Sequence, residues 1–159
     1  MSSPIRVGFI GLSKSGWASI ALAPTLLNNR DKYDLVAIST TSSLSATESA
    51  EKYSATVGHP VKAYYGDSEQ VANDPNVDLV AIAVRAPFHH ATIVPVLEAG
   101  KDIFVEWPVG ANLNQTLNIA QRAAQKKIRT LVGLQGRQST VIRKVGNSGT
   151  LPLFCARLK

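Results

Sequence analysis

Short apolar runs alternate with stretches whose apolar residues recur at helical spacing, and the alternation continues from residue 5 to residue 134. Residues 5–11, 34–40, 62–65, 77–84, 102–105 and 129–134 read as strands. Residues 17–27, 45–53, 88–99 and 114–126 read as helices, with Pro24 inside the first of them. Ser45 and Glu48 have the spacing of a capping box, Asp67 is placed to cap a small helix, and Gly100 marks a helix stop. Apolar runs without polar alternation belong to strands covered on both faces. Strands separated by helices imply a parallel sheet with right-handed crossovers. The pattern predicts a doubly wound α/β sheet in the order 3-2-1-4-5-6.

The chain changes character after residue 134. Residues 138–145 have the pattern of a short helix, residues 146–149 that of a turn, and residues 151–158 that of one more strand. We therefore divide the chain into a domain over 1–134 and a C-terminal extension over 135–159. A lone terminal strand has no partner of its own, so residues 151–158 are expected to form a homodimer contact.

The first strand runs into Gly11, Ser13 and Gly16, followed by Trp17. This is the G-x-G-x-x-G turn of a Rossmann dinucleotide-binding domain with serine at the middle position. Glycines in such a turn let backbone N–H groups approach a pyrophosphate at a helix start. Ser13 either narrows that approach or donates its hydroxyl to a phosphate, and Lys14 can add a charge. Where an NAD-binding domain would place a carboxylate after the second strand, this chain has Ser39, Thr40, Thr41, Ser42 and Ser43. Hydroxyls without a negative charge favour NADP(H) over NAD, although Ser42 and Ser43 can equally begin a loop and cap the next helix.

Composition narrows the field. A hydrophobic fraction of 45% and a charged fraction of 18% describe a globular chain. The absence of a signal-peptide layout or a long apolar run makes a cytoplasmic protein without a membrane span the expectation. One cysteine, Cys155, excludes an internal disulfide, and no spacing of ligand residues points to a metal. The net charge of +6 is spread along the chain rather than gathered in a stripe, which argues against a nucleic-acid surface.

Three further segments are specific: residues 83–90 with Arg85, His89 and His90; residues 104–108 with Glu106, Trp107 and Pro108; and residues 134–139 with Arg137. Together with the glycine turn, they resemble the N-terminal half of the glucose–fructose oxidoreductase / inositol dehydrogenase family. Within it, the likeness is to the fungal branch that includes the galactose-pathway repressor. The resemblance implies an NAD(P)-dependent oxidoreductase whose enzymes carry Glu-Lys-Pro beside the nicotinamide. Here Trp107 takes the lysine position, and an indole transfers no proton. The resemblance also implies a second α/β domain, of which this chain carries only the start.

The candidate site therefore comprises Gly11, Ser13, Lys14, Gly16, Trp17, Thr41, Ser42, Arg85, Glu106 and Trp107 around a cofactor. His89, taken to face the cleft, and Arg137 are the candidate catalytic groups. His59 has no evident partner in the sequence. Three functions fit: an NADP(H)-binding oxidoreductase acting on a small molecule, a non-redox cyclase, isomerase or lyase using the inherited cleft, or a non-catalytic NADP-responsive regulatory module.

Overall fold

A computed structural model describes residues 3–134, 139–140 and 143–144. Half of the expected helix over 138–145 lies outside these residues, and Arg137 and the expected strand over 151–158 lie wholly outside them. Six parallel strands, β1 (Ile5–Ile10), β2 (Tyr33–Thr40), β3 (Lys62–Tyr65), β4 (Leu79–Ile82), β5 (Asp102–Glu106) and β6 (Thr130–Gly133), form one sheet in the order β3-β2-β1-β4-β5-β6. This is the predicted doubly wound topology.

The helices are α1 (Trp17–Ala21), α2 (Ala23–Leu27), α3 (Ser43–Val57), α4 (Glu69–Ala72), α5 (His89–Glu98) and α6 (Leu113–Gln125). The single helix expected over 17–27 is two short ones, divided at Leu22. Pro24 is the cause. It has no N–H for a fourth-neighbour bond and fits instead in the first turn of a new helix. Helix α3 starts earlier than expected because Ser42, not Ser45, is its N-cap, accepting from the Ser45 N–H at 3.3 Å. Ser45 and Glu48 thus do not form the expected capping box.

Each face of the sheet carries its own core. Ile93, Val96 and Leu97 of α5 and Ile119 and Ala123 of α6 pack with Val80, Ile82, Ile103 and Val105. Ala50, Tyr53 and Val57 of α3 pack with Ala18, Ala23 and Val7, Phe9, Leu35 and Ile38 on the other face. Burying each large aliphatic side chain contributes about 1.5–3 kcal/mol. Covering both faces fixes the strands, and with them the loops at the strand ends.

Candidate functional site

Ligands of doubly wound sheets bind beyond the C-terminal strand ends, where the strand order reverses. In this sheet the reversal lies between β1 and β4, and a cleft of about 790 Å³ opens there. Gly11 and Ser13 line it from the turn after β1; Ser39, Thr40, Thr41 and Ser45 from β2 and α3; Val84, Arg85 and Phe88 from the segment after β4. A second concavity of about 440 Å³, lined by Ile5, Asp78, Lys101, Asp102 and Arg129, lies at the opposite strand ends. Its charged groups are bonded to one another or to carbonyls, so it offers no comparable chemistry.

Gly11 is required by the cleft's geometry. Its φ is +91°, and a Cβ there would stand 2.2 Å from the carbonyl oxygen of Ala83. The turn after β1 therefore presses its backbone against the exit of β4. Position 16 is constrained by its partner in the motif, since a Cβ on Gly16 would lie 2.4 Å from the Ser13 hydroxyl oxygen. The serine at the middle position is accommodated because residue 16 has no side chain. This fits a bound dinucleotide: glycines at both ends of the turn, Ser13 in the cleft wall and α1 beyond it with no side-chain cap at Gly16. Helix α1 has only five residues, so loop N–H groups rather than a long helix dipole must serve the phosphates.

Gly11, Ser13, Thr41 and Arg85 are thus brought together, while several other expected site residues are placed elsewhere. Ser42 is the α3 N-cap. The Lys14 carbonyl accepts from Lys52 Nζ at 2.7 Å and from the Ser19 hydroxyl at 3.2 Å, and its side chain is not in the cleft wall. Trp17 is exposed on α1. Trp107 is 67% exposed at the end of β5, next to half-buried Glu106 and in a cis bond to Pro108.

His89 requires the main correction. It does not face the cleft; it is 1% exposed, with Nδ1 2.7 Å from the Pro108 carbonyl oxygen and Nε2 2.8 Å from that of Val84. Both nitrogens face backbone carbonyl oxygens, and whichever carries the N–H donates to one of them, so the buried ring ties the exits of β4 and β5 instead of offering a base to the cleft. His90 is likewise tied, its Nε2 lying 3.1 Å from Asn118 Oδ1 on α6. His59, which showed no partner in the sequence, pairs through Nε2 with Asp34 Oδ1 at 2.7 Å.

Other cleft residues were missed. Asp67 and Glu69 line it near β3; Asp67 Oδ1 accepts from the Glu69 N–H at 3.0 Å, but the N-cap of α4 is Ser68, one residue later than expected. Their position after a C-terminal strand end was the signal available in the sequence. The cleft is polarised in consequence, with carboxylates at the β3 end and a guanidinium at the β4 end.

Residues 5–134 match a family model described as oxidoreductase family, NAD-binding Rossmann fold. The chain belongs to this oxidoreductase family. It is 35% identical over 160 residues to dehydrogenase aclE of Aspergillus oryzae, covering 95% of this chain and 42% of that protein. It is 28% identical to the galactose/lactose metabolism regulatory protein GAL80 of Saccharomyces cerevisiae, covering 89% of this chain and 33% of the other. The crystal structure of a super-repressor mutant of Gal80p from the same yeast superposes with a TM-score of 0.78 at 26% identity, covering 91% of this chain and 38% of that one. Biliverdin reductase from Synechocystis, solved with biliverdin and NADP+, gives a TM-score of 0.73 at 25% identity, covering 91% and 42%. The chain thus spans less than half the length of these relatives.

Proposed function

We propose that this domain binds NADP(H) in the cleft between β1 and β4 and serves an oxidoreductase acting on a small molecule. The observation that carries the reading is the convergence of Gly11, Ser13, Thr41 and Arg85 on one cleft at the switch point of the sheet. When bound, the cofactor supplies hydride transfer. The protein's part is to hold it: backbone N–H groups of the turn and the Ser13 hydroxyl face the pyrophosphate, and Thr41 and Ser45 offer hydroxyls toward the adenosine ribose. Those hydroxyls, and the lack of a carboxylate at the end of β2, support the phosphorylated cofactor. Asp67 and Glu69 oppose it at the β3 end, so discrimination from NAD is expected to be modest.

Trp107 in place of the lysine leaves no proton donor at that position, so the acid–base group of a redox reaction must come from elsewhere. The same exchange, with the likeness to a regulatory protein, supports a second reading as a dinucleotide-responsive binding module. The non-redox reading loses its base with the burial of His89. A cytoplasmic location and a homodimer through residues 151–158 belong to the proposal, and light scattering tests the dimer; among the described residues no helix is long and apolar enough to cross a membrane.

Isothermal titration with NADP+, NADPH and NAD+ tests the reading. Micromolar binding is expected, tighter for the phosphorylated forms. Ser13→Gly is expected to change binding by no more than about threefold, because the opened turn offsets the lost hydroxyl contact. Failure of all three dinucleotides to bind both wild type and Ser13→Gly would overturn it. Hydride transfer followed at 340 nm then separates enzyme from regulatory module.

A further inference from the structure

The arginines of residues 3–134 differ in one respect. Arg6 bonds to Asp78, Arg122 to Glu98 and Asn118, Arg129 to Asp102, and Arg30 to the Val57 carbonyl. Arg85 alone has no oxygen partner among the described residues; its guanidinium carbon lies 5.1 Å from the centroid of the Phe88 ring. A guanidinium lying on an aromatic face keeps its N–H edge outward and loses little further freedom when it takes a bidentate acceptor. Arg85 is exposed, lines the cleft and is the only cation among the described residues of its wall.

Trp107 is not in the cleft wall, but the backbone brings its segment to the same end of the sheet. Arg85 follows Val84 and Trp107 precedes Pro108, and the carbonyls of Val84 and Pro108 stand at hydrogen-bond distance from the two nitrogens of one imidazole, His89. The strand register leads to the same neighbourhood, since Ile82 pairs with Val105. The rim where β4 and β5 end thus combines a guanidinium with two aromatic side chains, Phe88 and Trp107, each more than half exposed. Asp67 and Glu69 at the far end of the cleft repel an anion from there and favour the Arg85 end.

We infer that the rim of Arg85, Phe88 and Trp107 binds a small planar ring bearing a carboxylate, Arg85 taking the carboxylate and the Trp107 indole stacking the ring. As the substrate end of the cleft this rests on the dinucleotide reading above; as a binding site it does not. His89 acts here as a positioning residue.

The test uses two probes of nearly equal shape and different charge, benzoate and benzamide. Binding is read by Trp107 fluorescence in a Trp17→Phe background, with and without NADP+. Trp17 and Trp107 are the two tryptophans of the chain, and Trp17 is exposed, so its replacement isolates the signal. Benzoate is expected to bind about tenfold or more tightly than benzamide, the ratio that a charge-assisted hydrogen-bond pair supports. Arg85→Gln is expected to erase that ratio and Arg85→Lys to keep part of it, with the melting temperature unchanged. Equal binding of the two probes, no response to benzoate, or a ratio that survives Arg85→Gln would each overturn the inference. Loss of NADP+ affinity in Arg85→Gln with benzoate binding unaffected would also overturn it, assigning Arg85 to the cofactor and leaving the dinucleotide reading intact. Benzoate selectivity in a protein that binds no dinucleotide would uphold the rim while the dinucleotide reading falls.

Discussion

The two ends of the parallel sheet use polar residues in opposite ways. Where the strands begin, charges are engaged with one another or with the backbone. Arg6 and Asp78 join β1 to the start of β4 through contacts of 2.6 and 2.9 Å, Arg129 pairs with Asp102, and Lys101 Nζ bonds the carbonyls of Asp74 and Val77 at 3.0 and 2.7 Å. Where the strands end, hydroxyls and glycines line a cleft, with the Asp67 and Glu69 carboxylates at one end and, at the other, a guanidinium that has no carboxylate partner among the described residues. Ligands of a parallel α/β sheet gather at the strand ends, so the starting edge can be given over to stability. The lower end therefore holds the fold together and the upper end is left free to bind.

Asp74 gives the strongest means of breaking that comparison. Its side chain is 1% exposed and receives Lys62 Nζ at 3.1 Å, the Tyr64 hydroxyl at 3.0 Å and the Asn76 N–H at 2.9 Å. Burial pushes its carboxyl up, but the Asn76, Lys62 and Tyr64 bonds outweigh it and hold the group below the usual carboxylate range. Asp74→Ala leaves the Tyr64 hydroxyl and Asn76 N–H without this acceptor and should cost about 3 kcal/mol in urea unfolding. A cost below about 1 kcal/mol would show that the lower end is not where stability resides. Because the Asp74 and Asp78 carboxyls both sit low, their contribution is complete above about pH 4 and is lost as pH falls through the depressed values.

At the upper end, Asp67→Asn sharpens the comparison. Removing a negative charge from the cleft wall should tighten NADP+ by about threefold and leave NAD+ nearly unchanged, as fits a single exposed charge. Equal changes for both would place the 2′-phosphate away from β3. His59 offers a smaller, pH-dependent effect at the lower end. Asp34, and then the Pro60 carbonyl, raise its pKa, so the pair stabilises fully below about pH 6 and the gain fades as pH rises through the raised value. The pair is about one-third exposed, so the step should be only about 0.5 kcal/mol between pH 6 and 8, and His59→Gln should remove it. Arg85→Gln should have the smallest effect on folding, under about 0.5 kcal/mol, because its guanidinium bonds no oxygen among the described residues.

Much of this was legible in the chain. The period of the apolar runs gave six strands and their order, and Gly11 and Ser13 gave the turn that the structure sets against Ala83. Local signals failed where two readings competed. Ser42 and Ser45 are both good caps, and only the backbone at the end of β2 decided for Ser42. Pro24 announced a disturbance but not its position, which depended on which turn could absorb the missing N–H.

What the sequence determined by itself is what depends on neighbours along the chain: strand and helix periodicity and a glycine at a forced turn. What only the tertiary structure decided depends on residues far apart. His59 meets Asp34 because the loop entering β3 is laid beside β2, and Asp74 meets Lys62 because the turn after α4 folds back onto β3. His89 turns inward where the carbonyls of Val84 and Pro108, brought together by adjacent strands β4 and β5, stand at hydrogen-bond distance from its two nitrogens and accept its N–H. An imidazole's surroundings, and hence its role, are set by the packing of the sheet rather than by the residues beside it.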